Sequence, residues 1–547
     1  MNAENPPSAI THSGFGAWLA VGAVFLFGIW VRAFRIGEQL ILDDEWHALN
    51  AVQDHSYLWI FSHLGHADHS IPLTLLYEFF SHTIGLSEIT MRAPSLLAGV
   101  LMLVMLPLLM RPWLQRGECM TMAALIAISP FLINYSRIAR PYALLGLLAG
   151  ASIPLAWRWW QNQRRGAGFA WFACTVLSAW LNPASLALTA GPFLWFGGGA
   201  VAAWRRQRDH RPLLRLAAMA TAMAVGITAL MFAPMSNDFA SLAIKSGIHQ
   251  VDAQTFIVGL SLFSGSGYPI VVAVMVIAAM IGWAGLYRRD PSFSTYLLMI
   301  AAAATLAITL TGAEWIMQGL VLARYLLGLL PLYLALAAIG LVLVSRTLAR
   351  VFKLRSGTGG VFITATLLAL LMTGPLPGIH AGGRQFDHHM SKQFDYNPRR
   401  NPFHAVLEPV IPEPFYEEIA QLHPAGDALV VEAPWHLESN WNALPLYQHV
   451  HGQRVMVGFI GGVCAGRLYG ELRQDIDGMA FRNFTSVQDV LDGRVKADFL
   501  VLRSRAIAGA RTIAMNFEEC ERAVRSVLGN PWRSTPSALL FRVSHKP

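Results

Sequence analysis

Apolar runs of roughly 17–25 residues, the length that spans a bilayer, recur along this chain. They fall at residues 15–34, 93–110, 119–135, 141–157, 168–182, 184–203, 213–233, 269–287, 292–311, 325–345 and 360–377. The pattern predicts an α-helical polytopic membrane protein of about 11 transmembrane helices, the fifth and sixth parted only by Asn182-Pro183. Beyond residue 377 the pattern changes. "DALVVEA", "RVMVGFI", "DFLVLRS" and "SALLFRV" read as buried strands, and "ESNWNALPLYQHV" and "NFEECERAVRSVL" as helices between them. That alternation predicts a small α/β domain. We therefore expect a transmembrane domain over 1–377 with a long loop at 36–92, and a soluble α/β domain over 378–547.

Composition agrees. The chain is 54% hydrophobic and 14% charged over 547 residues, against about 25% charged in soluble domains, and its mean hydropathy is +0.44. The net charge of +8 sits mostly in short loops between apolar runs, so the membrane accounts for it and no nucleic-acid partner is expected. One alternate set of loops carries Arg111 and Arg116; Arg158, Arg164 and Arg165; the cluster from Arg205 to Arg215; Arg288 and Arg289; and the cations from Arg346 to Arg355. It is more than twice as rich in cations as the set holding Arg32, Arg35, Arg92, Arg137, Arg140, Lys245 and Arg324. By the positive-inside rule the N-terminus is cytoplasmic and the C-terminal domain extracytoplasmic. Phe15 to Phe34 lacks a basic n-region and a small-residue cleavage site, so it reads as a retained helix.

The other proposed spans hold no charged residue near their middles, where ion-coupled transporters usually keep one. Polar chemistry gathers at the outer surface instead. "ILDDEWHALN" sets Asp43, Asp44 and Glu45 just past the first span. An acidic first turn is the ordinary choice of an interfacial helix, yet carboxylates beside lipid are also tuned toward neutral pH, as a general base requires. "NYSRIARPYALLG" places Arg137, Arg140 and Tyr142, and "LARYLLGLLP" places Arg324 and Tyr325, at outer helix ends, with Lys245 in the second outer loop. Singly these are interfacial anchors. Together they break the charge bias on the side that holds the acids, and a base plus cations suits attack on a lipid-linked phosphate.

Here the residues resemble a family. "VRAFRIGEQLILDDEWHA", "HSIPLTLLYEFFSHTIGLSEITMRAPSLLAG", "ISPFLINYSRIARPYALL" and "ARYLLGLLPLYLALAAIGL" are similar to the GT-C glycosyltransferases that use polyprenyl-phosphate sugars. That superfamily includes protein O-mannosyltransferases and the lipid A aminoarabinose transferase. The resemblance covers residues 32–150 and 315–345. It implies inverting sugar transfer, with Asp44 as general base and Glu45 positioning it or the acceptor. It assigns Arg137, Arg140, Tyr142, Lys245, Arg324 and Tyr325 to the donor phosphate. The implied partners are a polyprenyl-phosphate sugar donor, membrane lipids, and a glycan, lipid or protein acceptor of the cell envelope. "SIPLTLLYEF" lacks the second proline and aromatic pair common in the family near Pro72.

His47, His66, Asp68 and His69 are candidates to contact the acceptor, and with Asp43 or Asp44 could hold a divalent ion. No cofactor is otherwise expected. Asp475 and Asp477 form an Asp-x-Asp of the kind that recurs by chance. Cys119, Cys174, Cys464 and Cys520 fit no metal spacing, and Cys464 and Cys520 are expected as free thiols, with a bridge as the alternative. Two other function classes fit less well: a lipid or polysaccharide transporter, which needs a continuous polar path, and a non-catalytic membrane scaffold. Neither the sugar nor the acceptor is written in the sequence.

Overall fold

The computed structural model describes residues 13–34, 36–37, 43–65, 69–247, 249–353, 359–376, 411–435, 444–459, 484–507 and 517–543. They fall into two compact units: residues 13–36 with 47–376, and residues 37 and 43–46 with 411–543. The first is helical. In chain order it contains α1 (Ser13–Ala33), α2 (Asp43–Asp54) from His47 onward, α3 (Tyr57–Ser62), α4 (Ile71–His82), α5 (Glu88–Met110), α6 (Arg116–Ile128), α7 (Pro130–Ser136), α8 (Tyr142–Asn162) and α9 (Arg165–Leu181). There follow α10 (Leu186–Gln207), α11 (Arg211–Ile244), α12 (Ala253–Ser264), α13 (Pro269–Arg289), α14 (Pro291–Leu310), α15 (Gly319–Tyr325), α16 (Leu330–Val351) and α17 (Gly359–Thr373). Each expected span coincides with helix, and the protein is an integral membrane protein. Among the described residues six helices are long and apolar enough to cross a bilayer, seven if a bent pair counts as one.

That bent pair corrects one expectation. The run at 119–135 is α6 and α7, which meet at 58°. Pro130 has no amide to donate and pushes Ser129 into extended backbone, φ −62° and ψ 111°, so the helix breaks there. The break leaves the Ile126 carbonyl without the amide of residue 130. Arg32 fills the gap. Its Nη2 donates to Ile126 O at 2.9 Å, and its Nη1 to Ala127 O at 3.2 Å and Gly28 O at 2.9 Å. A cation that violates the loop-charge rule is therefore buried within the bundle, tying α1 to α6.

Close helix approach is set by glycine. A Cβ on Gly282 of α13 would lie 1.8 Å from Leu336 O, and one on Gly340 of α16 would lie 1.8 Å from Ala278 O, so this pair packs backbone to backbone as small residues allow in membranes. Farther along α13, Arg289 closes a fork on Glu118 of α6, at 2.8 and 2.7 Å.

The second unit holds a six-stranded sheet of β1 (Leu429–Trp435), β2 (Arg454–Phe459), β3 (Phe484–Ser486), β4 (Phe499–Ile507), β5 (Arg533–Ser534) and β6 (Ala538–Arg542), in the order β3-β2-β1-β4-β6-β5. The first four are parallel, and β6 runs antiparallel to both β4 and β5. The predicted strands are β1, β2, β4 and β6. On one face Val430, Val501 and Leu540 pack with Phe415, Tyr416 and Tyr447, and on the other Val431, Leu500 and Phe541 pack with Cys520 and Val524. The first face ends in a buried polar knot. Arg503 donates from Nε to Glu432 at 3.2 Å and from Nη2 to the Tyr416 hydroxyl at 2.6 Å, and Tyr416 donates to Glu432. Cys520 is disulfide-bonded, which overturns the free-thiol expectation for it. Cys464, Asp475 and Asp477 lie outside the described residues.

Candidate functional site

The turn between α7 and α8 carries "RIARPY". Its residues are held from both sides: the Arg140 amide donates to Ile138 O at 2.8 Å, and Ser95 Oγ of α5 donates to Arg140 O at 2.9 Å. Pro141, with φ −69°, caps α8 and leaves Tyr142 as its first, buried residue. Arg324 and Tyr325 end α15, where a cation meets the negative end of the helix. The approach to α15 is fixed by Thr255 Oγ1, which reaches Met317 O and Asp252 Oδ1, both at 2.7 Å.

These two helix ends meet. The Arg324 guanidinium carbon lies 5.1 Å from the Tyr142 ring centre, and that of Arg140 lies 5.8 Å from it. Both fall within cation–π range. Beside Arg324 and Tyr325, a cavity of about 10 Å³ lined also by Asn182, Ser185 and Leu188 has room for roughly one water-sized group. The buried Ser185 hydroxyl has no partner among the described residues. With one cation, a phenol and a hydroxyl on its wall, the pocket suits a single oxygen of an oxyanion.

Two other expected phosphate ligands also make contacts of their own. Arg137 is buried, and its Nη1 donates to Arg32 O at 2.9 Å and Phe34 O at 2.7 Å, where α1 ends. Arg92 reaches Ile36 O in the same way, at 2.9 Å. These contacts tie down the chain leaving α1. Lys245 follows α11, and its carbonyl accepts from the Glu314 amide at 2.8 Å, joining the second outer loop to the segment before α15.

The acids open α2, as an interfacial helix would have them. Glu45 is fully buried, and the Asp44 side chain lies outside the described residues. His47 and His69 are half-buried; His66 and Asp68 lie outside the described residues. Trp59 stacks between His55, at 3.4 Å, and His63, at 4.6 Å, with His69 at 6.2 Å. Among the described residues, no three His, Cys, Asp or Glu side chains gather as a metal site. The loop after α3 is anchored instead on α11, whose helix breaks at Asp238. Asp238 Oδ2 accepts the amides of Leu64 at 2.7 Å and Gly65 at 3.1 Å.

No family model and no curated protein matches the chain. Solved structures do. ArnT from Cupriavidus metallidurans in the apo state aligns over 98% of this chain and 99% of its own, at 13% identity and a TM-score of 0.50. The same protein bound to undecaprenyl phosphate gives 13% identity, the same coverages and a TM-score of 0.51. The Archaeoglobus fulgidus oligosaccharyltransferase in its apo form aligns over 90% of this chain and 70% of its own, at 12% identity and a TM-score of 0.45. The fold is that of ArnT.

Within this fold, four expected site residues come together: Arg140, Tyr142, Arg324 and Tyr325. Asn182 and Ser185 join them without having been singled out. Asn-Pro-Ala-Ser between two apolar runs reads from sequence only as a helix break, and Asn182 does serve that role by accepting the Ala184 amide at 2.9 Å.

Proposed function

We propose that the chain is an integral membrane glycosyltransferase that moves a sugar from a polyprenyl-phosphate donor to an acceptor, with inversion. In this reading residues 1–377 are the catalytic domain and 378–547 an extracytoplasmic domain. The N-terminus is cytoplasmic, and the protein works on the outer face of the plasma membrane, the inner membrane of a bacterium. The Asp44 carboxylate takes the proton of an acceptor hydroxyl as its oxygen attacks the anomeric carbon. The bond from that carbon to the phosphate oxygen breaks, and the phosphate leaves with the electron pair. A phosphate leaving group calls for cations more than for a general acid. Arg140 and Arg324 supply them, with Tyr142 and Tyr325 shaping the pocket; Arg137 and Lys245 belong to the same outer region in this reading. Glu45 positions Asp44 or the acceptor, and His47, His66, Asp68 and His69 face the acceptor.

The observation that carries this reading is the meeting of Arg140 and Arg324 at one tyrosine ring, from helix ends far apart in the chain. The undecaprenyl phosphate bound to ArnT supports a polyprenyl-phosphate donor. The test is mass spectrometry of envelope glycolipids and glycans from cells with and without the protein, followed by transfer from a labelled polyprenyl-phosphate sugar by the purified protein. One glycan or glycolipid should lose a sugar mass in its absence. An unchanged envelope, together with no turnover of the labelled donor, rejects the proposal.

A further inference from the structure

At the end of α8 remote from Tyr142, the helical unit opens a cleft of about 560 Å³. The helix rises about 31 Å over its length, so the cleft and the tyrosine lie at opposite ends of a membrane-length helix. Trp113, Arg158, Gln161, Asn162 and Arg164 line it, with the start of α9 at Gly166. No acid is among its lining residues. Arg158 donates from Nη2 to Leu109 O at 2.6 Å, and its guanidinium carbon lies 5.9 Å from the Trp113 ring. Neither Arg158 nor Arg164 has a carboxylate partner among the described residues.

The carboxylates at this end are already committed. Glu118 has both oxygens on Arg289. Asp290 caps α14 through the Phe293 amide at 3.0 Å and accepts from Trp113 Nε1 at 3.2 Å. A third positive element adds to the two arginines: α9 begins without a side-chain cap, and Gly166 and Ala167 of its first turn line the cleft, at the positive end of the helix dipole. Two cations, two side-chain amides and an uncapped helix start, around a cleft of ligand size, lack an anion.

We propose that this cleft binds a phosphate-bearing anion, the headgroup of an acidic phospholipid. The cleft lies at the far end of a 21-residue helix from Tyr142, and basic pockets between transmembrane helices recognise acidic headgroups by the same chemistry. A soluble phosphate would meet the same groups. The site is separate from the one proposed for the donor and stands whether or not the transfer reaction does.

Native mass spectrometry of the full chain, released from detergent with phosphatidylglycerol or phosphatidylcholine, tests it. Calorimetry with inorganic phosphate in lipid-free detergent forms the second arm. Phosphatidylglycerol should be retained in preference, and Arg158→Gln and Arg164→Gln should each weaken retention about fivefold, the worth of one cation at an anionic surface. Arg164 is exposed, so its variant keeps the fold, and Arg158→Lys should restore part of the loss. Saturable uptake of inorganic phosphate that Arg164→Gln abolishes, without lipid preference, assigns the same site to a soluble ligand. Equal retention of both lipids with no phosphate uptake, or binding indifferent to both Gln variants, overturns the proposal.

Discussion

Arg324 holds its guanidinium carbon 5.1 Å from the centre of the Tyr142 ring, across 182 positions of sequence. The contact uses the ring face, not the phenol oxygen, so it separates two roles for the tyrosine. Tyr142→Phe keeps the face and should retain most activity. Tyr142→Leu removes it and should lower kcat/KM by about 3- to 30-fold, the range of a partly desolvated cation–π contact. Arg324→Ala should lose at least about 100-fold, as expected for a preorganised charge at a leaving group. Transfer assays on purified variants decide it; a Phe variant as weak as the Leu variant would assign the role to the hydroxyl.

Asp44→Asn should abolish transfer while expression and detergent stability stay near wild type. Removing a general base typically costs 10²–10⁴-fold. Activity above about a tenth of wild type would mean that another group takes the proton.

The fold was largely legible because its signals are local. Runs of bilayer length located the spans, and short buried β-branched runs located β1, β2, β4 and β6. Strands β3 and β5, three and two residues long, are too short to carry a pattern. The break at Pro130 was misread because the apolar run continues through it. The role of Arg32 was hidden for the same reason, since the carbonyls it serves are freed only by that break. In the site, Arg140, Tyr142, Arg324 and Tyr325 were legible as cations and tyrosines on the wrong side for the loop-charge rule. Arg137 carries the same signal, yet its Nη1 serves carbonyls at the end of α1. Sequence position does not tell a guanidinium beside a tyrosine ring from one that serves backbone carbonyls.

Arg32 offers a stability test. Arg32→Met keeps the bulk of the stem but leaves the Ile126 and Ala127 carbonyls without their donor inside the bundle, at about 1–3 kcal/mol for each unsatisfied group. The thermal midpoint in detergent should fall clearly, and Arg32→Lys should recover part of the drop by reaching one carbonyl. A Met variant as stable as wild type would show that water satisfies those carbonyls.

Cys520 is disulfide-bonded while Cys119 and Cys174 are free; Cys464, the fourth cysteine of the sequence, lies outside the described residues. Unreduced peptide mapping should recover Cys464 and Cys520 as one linked species. Cys520→Ser should destabilise the α/β unit by about 2–4 kcal/mol, seen as earlier proteolysis of that unit with the helical unit unchanged. Free thiols at both positions in protein purified without reductant would refute the bridge.

His451 makes the stability of the α/β unit depend on pH. It is 1% exposed, its Nδ1 accepts the Gln453 amide at 3.0 Å, and its ring centre lies 5.3 Å from that of Tyr416. The accepting Nδ1 requires the neutral ring with its proton on Nε2, and burial lowers the pKa from 6.5 to about 4. The unfolded chain takes up this proton at higher pH than the folded one. The contribution is therefore fully present above pH 6.5 and is lost as pH falls toward 4, at most about 3 kcal/mol in all. Proteolysis of the unit, measured from pH 7.5 to 4, should accelerate across that window in wild type. His451→Asn supplies no group that gains a proton there and should flatten the profile, even if it lowers stability throughout. An equally steep profile in the variant would place the proton uptake on other groups.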